Sequence, residues 1–226
     1  MDYHQVELGV VNDTKLKNVG RDPCGEEIRR VFFQMGSFKA PGSDGYPAVF
    51  YQQNWEVVGS SMVQFIKELW NNPNRIREVN ETLLNLIPKV DHPESVSQFR
   101  PIALCNVLYK GLSKLIVNRL TPIMDSLVSP FQASFVPRRS IHDNIVIAKE
   151  LIHSLNKMQG KKGYMVIKID LEKAHDRMGW IFIGKVLEEI GLKGHLRKVI
   201  MGCISSTNMA IMWNGVKTET FEPTRG

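Results

Sequence analysis

Cysteine is scarce in this 226-residue chain, and what there is excludes two classes of protein. Cys24, Cys105 and Cys203 are odd in number and widely spaced, so they outline neither a disulfide framework nor a zinc site. No apolar run approaches the ~20 residues that a membrane-spanning helix needs, and Met1 is not followed by a secretory signal. The expected setting is therefore intracellular and reducing, nuclear or cytoplasmic, with no membrane partner. Internal repeats and low-complexity linkers are absent. No basic run is long enough to read as a nuclear-import signal.

What is present is an ordinary globular composition with a positive bias. Hydrophobic residues make up 43% of the chain, enough for a packed core, and 226 residues could hold one large domain or two small ones. A net charge of +6 and a pI near 9.2 favour polyanionic partners. The cations are spread out, with denser groups at Lys110/Lys114/Arg119, Arg138/Arg139 and Lys157/Lys161/Lys162/Lys168.

Periodicity organises the chain into mixed helix and strand. Residues 1–22 are polar and are expected to be loosely ordered. Asp22-Pro23 starts a helix through Glu26 to Gln34, with two acids where the helix dipole favours them. Ala40 to Tyr46 is a Gly/Pro loop. Val58, Met62, Phe65, Ile66 and Leu69 form a helical stripe. Thr82–Val90 and Arg100–Cys105 read as strands joined by a polar turn, an antiparallel pair. A long amphipathic helix follows from Leu108 to Leu127, carrying Lys110 and Lys114 on its polar face. Further helices are expected at about Asp143–Lys157, Trp180–Ile190 and Lys193–Ser206. Asn214-Gly215 between two short strands signals a type I′ hairpin. Hairpins mixed with helices, without strict alternation, indicate an α+β fold.

The densest chemistry lies in Ile167-Lys168-Ile169-Asp170-Leu171-Glu172-Lys173-Ala174-His175-Asp176. An apolar strand runs into Asp170, and a carboxylate there is costly to bury unless a cation meets it. Magnesium takes hard oxygen ligands, commonly one or two carboxylates together with substrate phosphates. Asp170 would equally serve as the cap of the helix that follows. Both readings stand on these residues alone.

The surrounding motifs resemble the reverse transcriptase domain of LINE-type (non-LTR) retrotransposons, particularly those of plants. Lys39-Ala40-Pro41-Gly42-Ser43-Asp44-Gly45 is similar to that family's KAPGxDG motif. Leu86-Ile87-Pro88-Lys89 with Phe99-Arg100-Pro101-Ile102 is similar to its LIPK…FRPI pair. Leu104 to Lys110, Asn118-Arg119-Leu120, and Gln132 to Val136 with Arg139 and Asp143-Asn144 continue the order. The Asp170 block resembles the first polymerase motif, and Phe221-x-Pro223-x-Arg225-Gly226 the approach to the next.

The resemblance implies the fingers and the first half of the palm of a right-hand polymerase, with an incomplete antiparallel palm sheet flanked by helices. It divides the chain into a fingers-like region, 23–160, and a partial palm, 161–226. It implies RNA-directed DNA synthesis by two-metal nucleotidyl transfer, with an RNA template, a DNA primer, deoxynucleoside triphosphates and two Mg²⁺ ions. Asp170 becomes the catalytic metal ligand and the Leu171 carbonyl its companion. Lys89, Arg100 and His175 face the nucleotide, and Lys110, Lys114 and Arg139 the nucleic acid. His175 stands where the family has Phe or Tyr, Ser43 where it has Pro, and Arg138 where it has Gly. Asp176, the motif's second acid, is expected to pair with Arg177 or the helix backbone. The family's later Tyr-x-Asp-Asp block does not occur within these residues, so an inactive fragment truncated before that block is expected. Two other classes stay open: a non-catalytic RNA-binding module, and a hydrolytic metal site at Asp170, His175 and Asp176. The five-residue spacing of Asp170 and His175 suits one helical face poorly.

Overall fold

A computed structural model describes residues 13–129, 132–133, 136, 138–158, 165, 167 and 177–225. Its helical layer follows from apolar stripes of period 3.6. Helix α1 spans Asp13–Gly20, α2 Gly25–Phe33, α3 Ala48–Gln53 and α4 Trp55–Asn71. In α2 the buried residues are Ile28, Val31 and Phe32; in α4 they include Met62, Ile66, Leu69 and Trp70. Helix α5, Val107–Leu127, buries Leu112, Leu115, Ile116 and Ile123 and packs against α1, α2 and α4. Each such side chain removed from water contributes about 1.5–3 kcal/mol. Helix α1 corrects the expectation of a loosely ordered start at residues 13–20: Val19 is buried in the common core, beside the helices that follow.

After a 3-10 turn at Pro73–Glu78 come β1, Glu81–Pro88, and β2, Phe99–Cys105. They pair antiparallel from Thr82 opposite Cys105 to Pro88 opposite Phe99, as the sequence leads one to expect. Helices α6 (Ile141–Lys157), α7 (Trp180–Glu189) and α8 (Gly194–Ser205) precede β3, Asn208–Trp213, and β4, Val216–Lys217. The strand order is β2-β1-β3-β4. Asn214 and Gly215 both have positive φ, 49° and 80°, which fits the type I′ turn between β3 and β4.

The sheet is mixed, because β3 joins β1 in parallel, Glu81 beside Asn208 through Asn85 beside Met212. A parallel neighbour requires a long crossover, and helices α5 to α8 all lie between the two strands in sequence. The base of the sheet is buried, with Thr82 and Ala210 almost fully covered, while Ile87, Val90 and Ile102 near the β1–β2 tip are exposed. Asn80 and Tyr109 lock this base to α8: the Asn80 amide and the Tyr109 hydroxyl both donate to the Cys203 carbonyl, at 2.8 and 2.9 Å.

Candidate functional site

Lys89 and Arg100 both lie towards the tip of the β1–β2 hairpin. Arg100 stands opposite Ile87, and opposed residues share a face of the sheet. Lys89 follows β1 directly, in the bend after Pro88. The connection keeps its shape through local polar bonds. Lys89 N–H donates to the Gln98 carbonyl at 2.8 Å, and the Gln98 side-chain oxygen accepts from the Ser95 and Glu94 amides at 3.1 and 2.6 Å. The Lys89 ammonium donates to the Ser97 carbonyl at 2.9 Å. Both cations are exposed, and among the described residues neither meets a carboxylate. They are therefore open to an anion from solvent.

The KAPGxDG loop docks on the junction between β2 and α5. Gly42 is pressed against it: a Cβ there would lie 2.1 Å from Asn106 Oδ1 and 2.6 Å from the Cys105 carbonyl carbon. Asn106 Oδ1 accepts from the Ser43 hydroxyl and the Asp44 amide, both at 3.3 Å. Asp44 accepts from the Tyr46 amide at 3.1 Å, and Gly45 takes φ 74°. The Lys110 ammonium donates to the Ala40 carbonyl at 3.1 Å. Asn106 is the residue that sequence reasoning passed over. Its signal was legible, a short polar residue directly before a long apolar helix, although here the side chain holds the loop and makes no cap to the helix.

The remaining cations divide by environment. Lys114 is exposed on α5. Arg139 spends its guanidinium on the chain itself, donating to the Ser129, Gln132 and Val128 carbonyls at 2.5, 2.8 and 3.2 Å. Arg119 is buried: it forms a two-pronged pair with Glu27 at 2.7 Å, donates to the Val19 carbonyl at 3.0 Å and lies 4.9 Å over the Trp70 ring. The hydrogen bonds from Arg119 hold the Glu27 carboxyl below the usual carboxylate range, against the opposing effect of burial. At the sheet's base, Lys217 does the same for Glu81, with help from Ser43. Burial pushes the Cys203 thiol up to about 12, far from a reactive thiolate.

Asp170, Leu171, His175 and Asp176 lie outside the described residues. Among the described residues no group of three His, Cys, Asp or Glu could hold a metal ion. Nor, among them, is any helix long and apolar enough to cross a membrane.

A family profile described as reverse transcriptase (RNA-dependent DNA polymerase) matches residues 87–225, more than half of the chain. Similar proteins include the Transposon TX1 uncharacterized 149 kDa protein of Xenopus laevis, 26% identical over 76% of this chain and 13% of its own length. The Retrovirus-related Pol polyprotein from type-2 retrotransposable element R2DM of Drosophila melanogaster is 24% identical over 95% of this chain and 19% of its own. The corresponding type-1 element R2 polyprotein of Popillia japonica is 25% identical over 56% of this chain and 17% of its own. The chain thus spans less than a fifth of the length of these relatives.

Proposed function

Because the chain belongs to the reverse transcriptase (RNA-dependent DNA polymerase) family, we propose that it forms the nucleotide- and template-holding part of the polymerase of a non-LTR retrotransposon. The observation that carries this reading is the hairpin tip, where two exposed cations have no carboxylate partner among the described residues. Lys89 offers a point charge and Arg100 a two-pronged donor, a combination suited to the triphosphate of an incoming deoxynucleotide. The family uses divalent metal ions. Asp170 and the Leu171 carbonyl are the hard oxygens that would hold Mg²⁺, which when bound supplies charge at the reacting phosphate. His175 would lie under the sugar, where a ring excludes a 2′-hydroxyl in relatives carrying Phe or Tyr. The partners are an RNA template and a DNA primer, with Lys110 and Lys114 on backbone phosphates. Arg139 acts there through the loop it ties down. Within these 226 residues one acid and a carbonyl make a thin ligand set for near-octahedral Mg²⁺, so the stretch by itself is expected to bind without polymerising.

Titration of the templated deoxynucleoside triphosphate into the chain bound to an RNA–DNA primer–template tests this reading. Arg100→Gln should weaken the nucleotide by about tenfold or more, the worth of a charge-assisted hydrogen bond, while leaving primer–template affinity nearly unchanged. Equal nucleotide affinity in Arg100→Gln and the parent chain would refute the assignment.

A further inference from the structure

We propose that Gln98 is a positioning residue of the nucleotide site: through the turn that closes the β1–β2 connection, it holds the Lys89 ammonium ready for a triphosphate. This rests on the polymerase reading and deepens it, because the two cations at the tip are supported in different ways. Arg100 belongs to β2, and the ladder fixes its backbone opposite Ile87. Lys89 lies beyond the last paired residues, Pro88 and Phe99. It opens the connection 89–98, which is mostly exposed. The ladder does not hold it there, and a free lysine has more rotamer freedom to lose on meeting a ligand than most side chains.

The closing turn supplies the support, and Gln98 is its centre. Ser95 and Gln98 cap the short 3-10 turn Val96–Gln98 reciprocally: the Ser95 side chain accepts from the Gln98 backbone amide, and the Gln98 side chain accepts from the Ser95 amide. The same Gln98 oxygen takes the Glu94 amide at 2.6 Å. The Ser95 and Ser97 hydroxyls meet at 2.8 Å. On the strand side, Phe99 packs at a steep angle against Trp213, ring centroids 6.0 Å apart. The two carbonyls that flank this cap are the ones Lys89 uses. Ser97 accepts its ammonium at 2.9 Å, and Gln98 accepts its backbone amide at 2.8 Å.

The ammonium gives one donor to Ser97 and keeps two. A carbonyl aims the charge without neutralising it, as a carboxylate would. A charge already held in place loses less entropy on meeting an anion, so affinity rises with no added contact. Gln98 itself touches no ligand. Its influence passes through Lys89, whereas Arg100 keeps its place by strand pairing.

The test is calorimetric titration of deoxythymidine triphosphate into the full chain, bound to an RNA–DNA primer–template with adenine as the templating base, run as a double-mutant cycle. Gln98→Ala should weaken the nucleotide by about fivefold, the usual worth of a lost cap. Gln98→Glu closes the same reciprocal cap and should stay within about twofold of the parent. In a Lys89→Met background Gln98→Ala should cost nothing further, whereas in an Arg100→Gln background it should cost the same factor. A general loosening of the hairpin would instead weaken both backgrounds alike. Carbon-13 relaxation at Lys89 Cε in the nucleotide-free chain gives a second reading: side-chain order should fall in Gln98→Ala and hold in Gln98→Glu. Unchanged affinity in Gln98→Ala, an undiminished effect in the Lys89→Met background, or Lys89 order indifferent to Gln98 would each overturn the proposal. Any of these beside a full Arg100→Gln effect leaves the polymerase reading standing. Equal affinity in Arg100→Gln and the parent removes that reading, and this proposal with it.

Discussion

Arg138 adopts φ 66°, a conformation that costs an L-residue roughly 1–2 kcal/mol and glycine almost nothing. The resembling family has Gly at this position, so the departure from its pattern coincides with backbone strain. The Arg138–Asp125 pair at 2.9 Å is mostly solvent-exposed and returns little. Arg138→Gly should therefore stabilise the chain by about 1 kcal/mol, and a thermal midpoint at or below the parent's would count against the strain. Arg119 shows what residue-level reading misses. In the sequence it is one of a basic group, but its partner Glu27 is 92 residues away, and charge alone says nothing about burial. Removing one half of a buried pair strands the other, so Arg119→Met should cost about 3–5 kcal/mol in urea unfolding. The same pair sets an acid limit. The folded Glu27 carboxyl releases its proton more readily than the unfolded one, whose ordinary value is 4.5. Its contribution is complete above that pH and is lost as pH falls through the lower, folded value. Glu27→Gln should flatten the stability curve in that window, and an acid limb identical to the parent's would contradict the pairing.

Among the elements, the β1–β2 hairpin, α2, α4, α5 and the type I′ turn were legible, because each depends on local alternation, helical stripes or turn residues. The parallel join of β3 to β1 was not, since no residue pattern marks which distant strand will lie alongside another. Helix α1 was missed for a related reason: eight polar-rich residues, Asp13–Gly20, become helical through docking of Val19 rather than through their own propensity. The KAPGxDG motif was legible as a family mark, and the structure supplies its physical reason. Gly42 is required because the loop lies directly on Asn106 and Cys105. Gly42→Ala puts a methyl group into backbone atoms that cannot swing aside, so the loop must lift from α5. A loss of about 1–3 kcal/mol is expected, with faster amide hydrogen exchange at 43–46. A parent-like exchange pattern in that loop would show that the contact is dispensable.

At the scale of the molecule, one core gathers α1 to α5 with α8, and the sheet leaves it at the hairpin tip, where the open cations stand. That tip carries exposed Lys89 and Arg100 beside the exposed apolar residues Ile87, Val90 and Ile102. On the function proposed above, this scaffold serves chemistry at Asp170, which sequence resemblance marks and which lies outside the described residues. The most direct measurement is RNA-templated deoxynucleotide incorporation by the chain joined after Gly226 to the remaining palm and thumb of a reverse transcriptase of demonstrated activity. Incorporation should appear in that fusion and vanish with Asp170→Asn, which keeps the side-chain shape and removes the charge. Incorporation that survives Asp170→Asn would mean that Asp170 does not hold the catalytic metal.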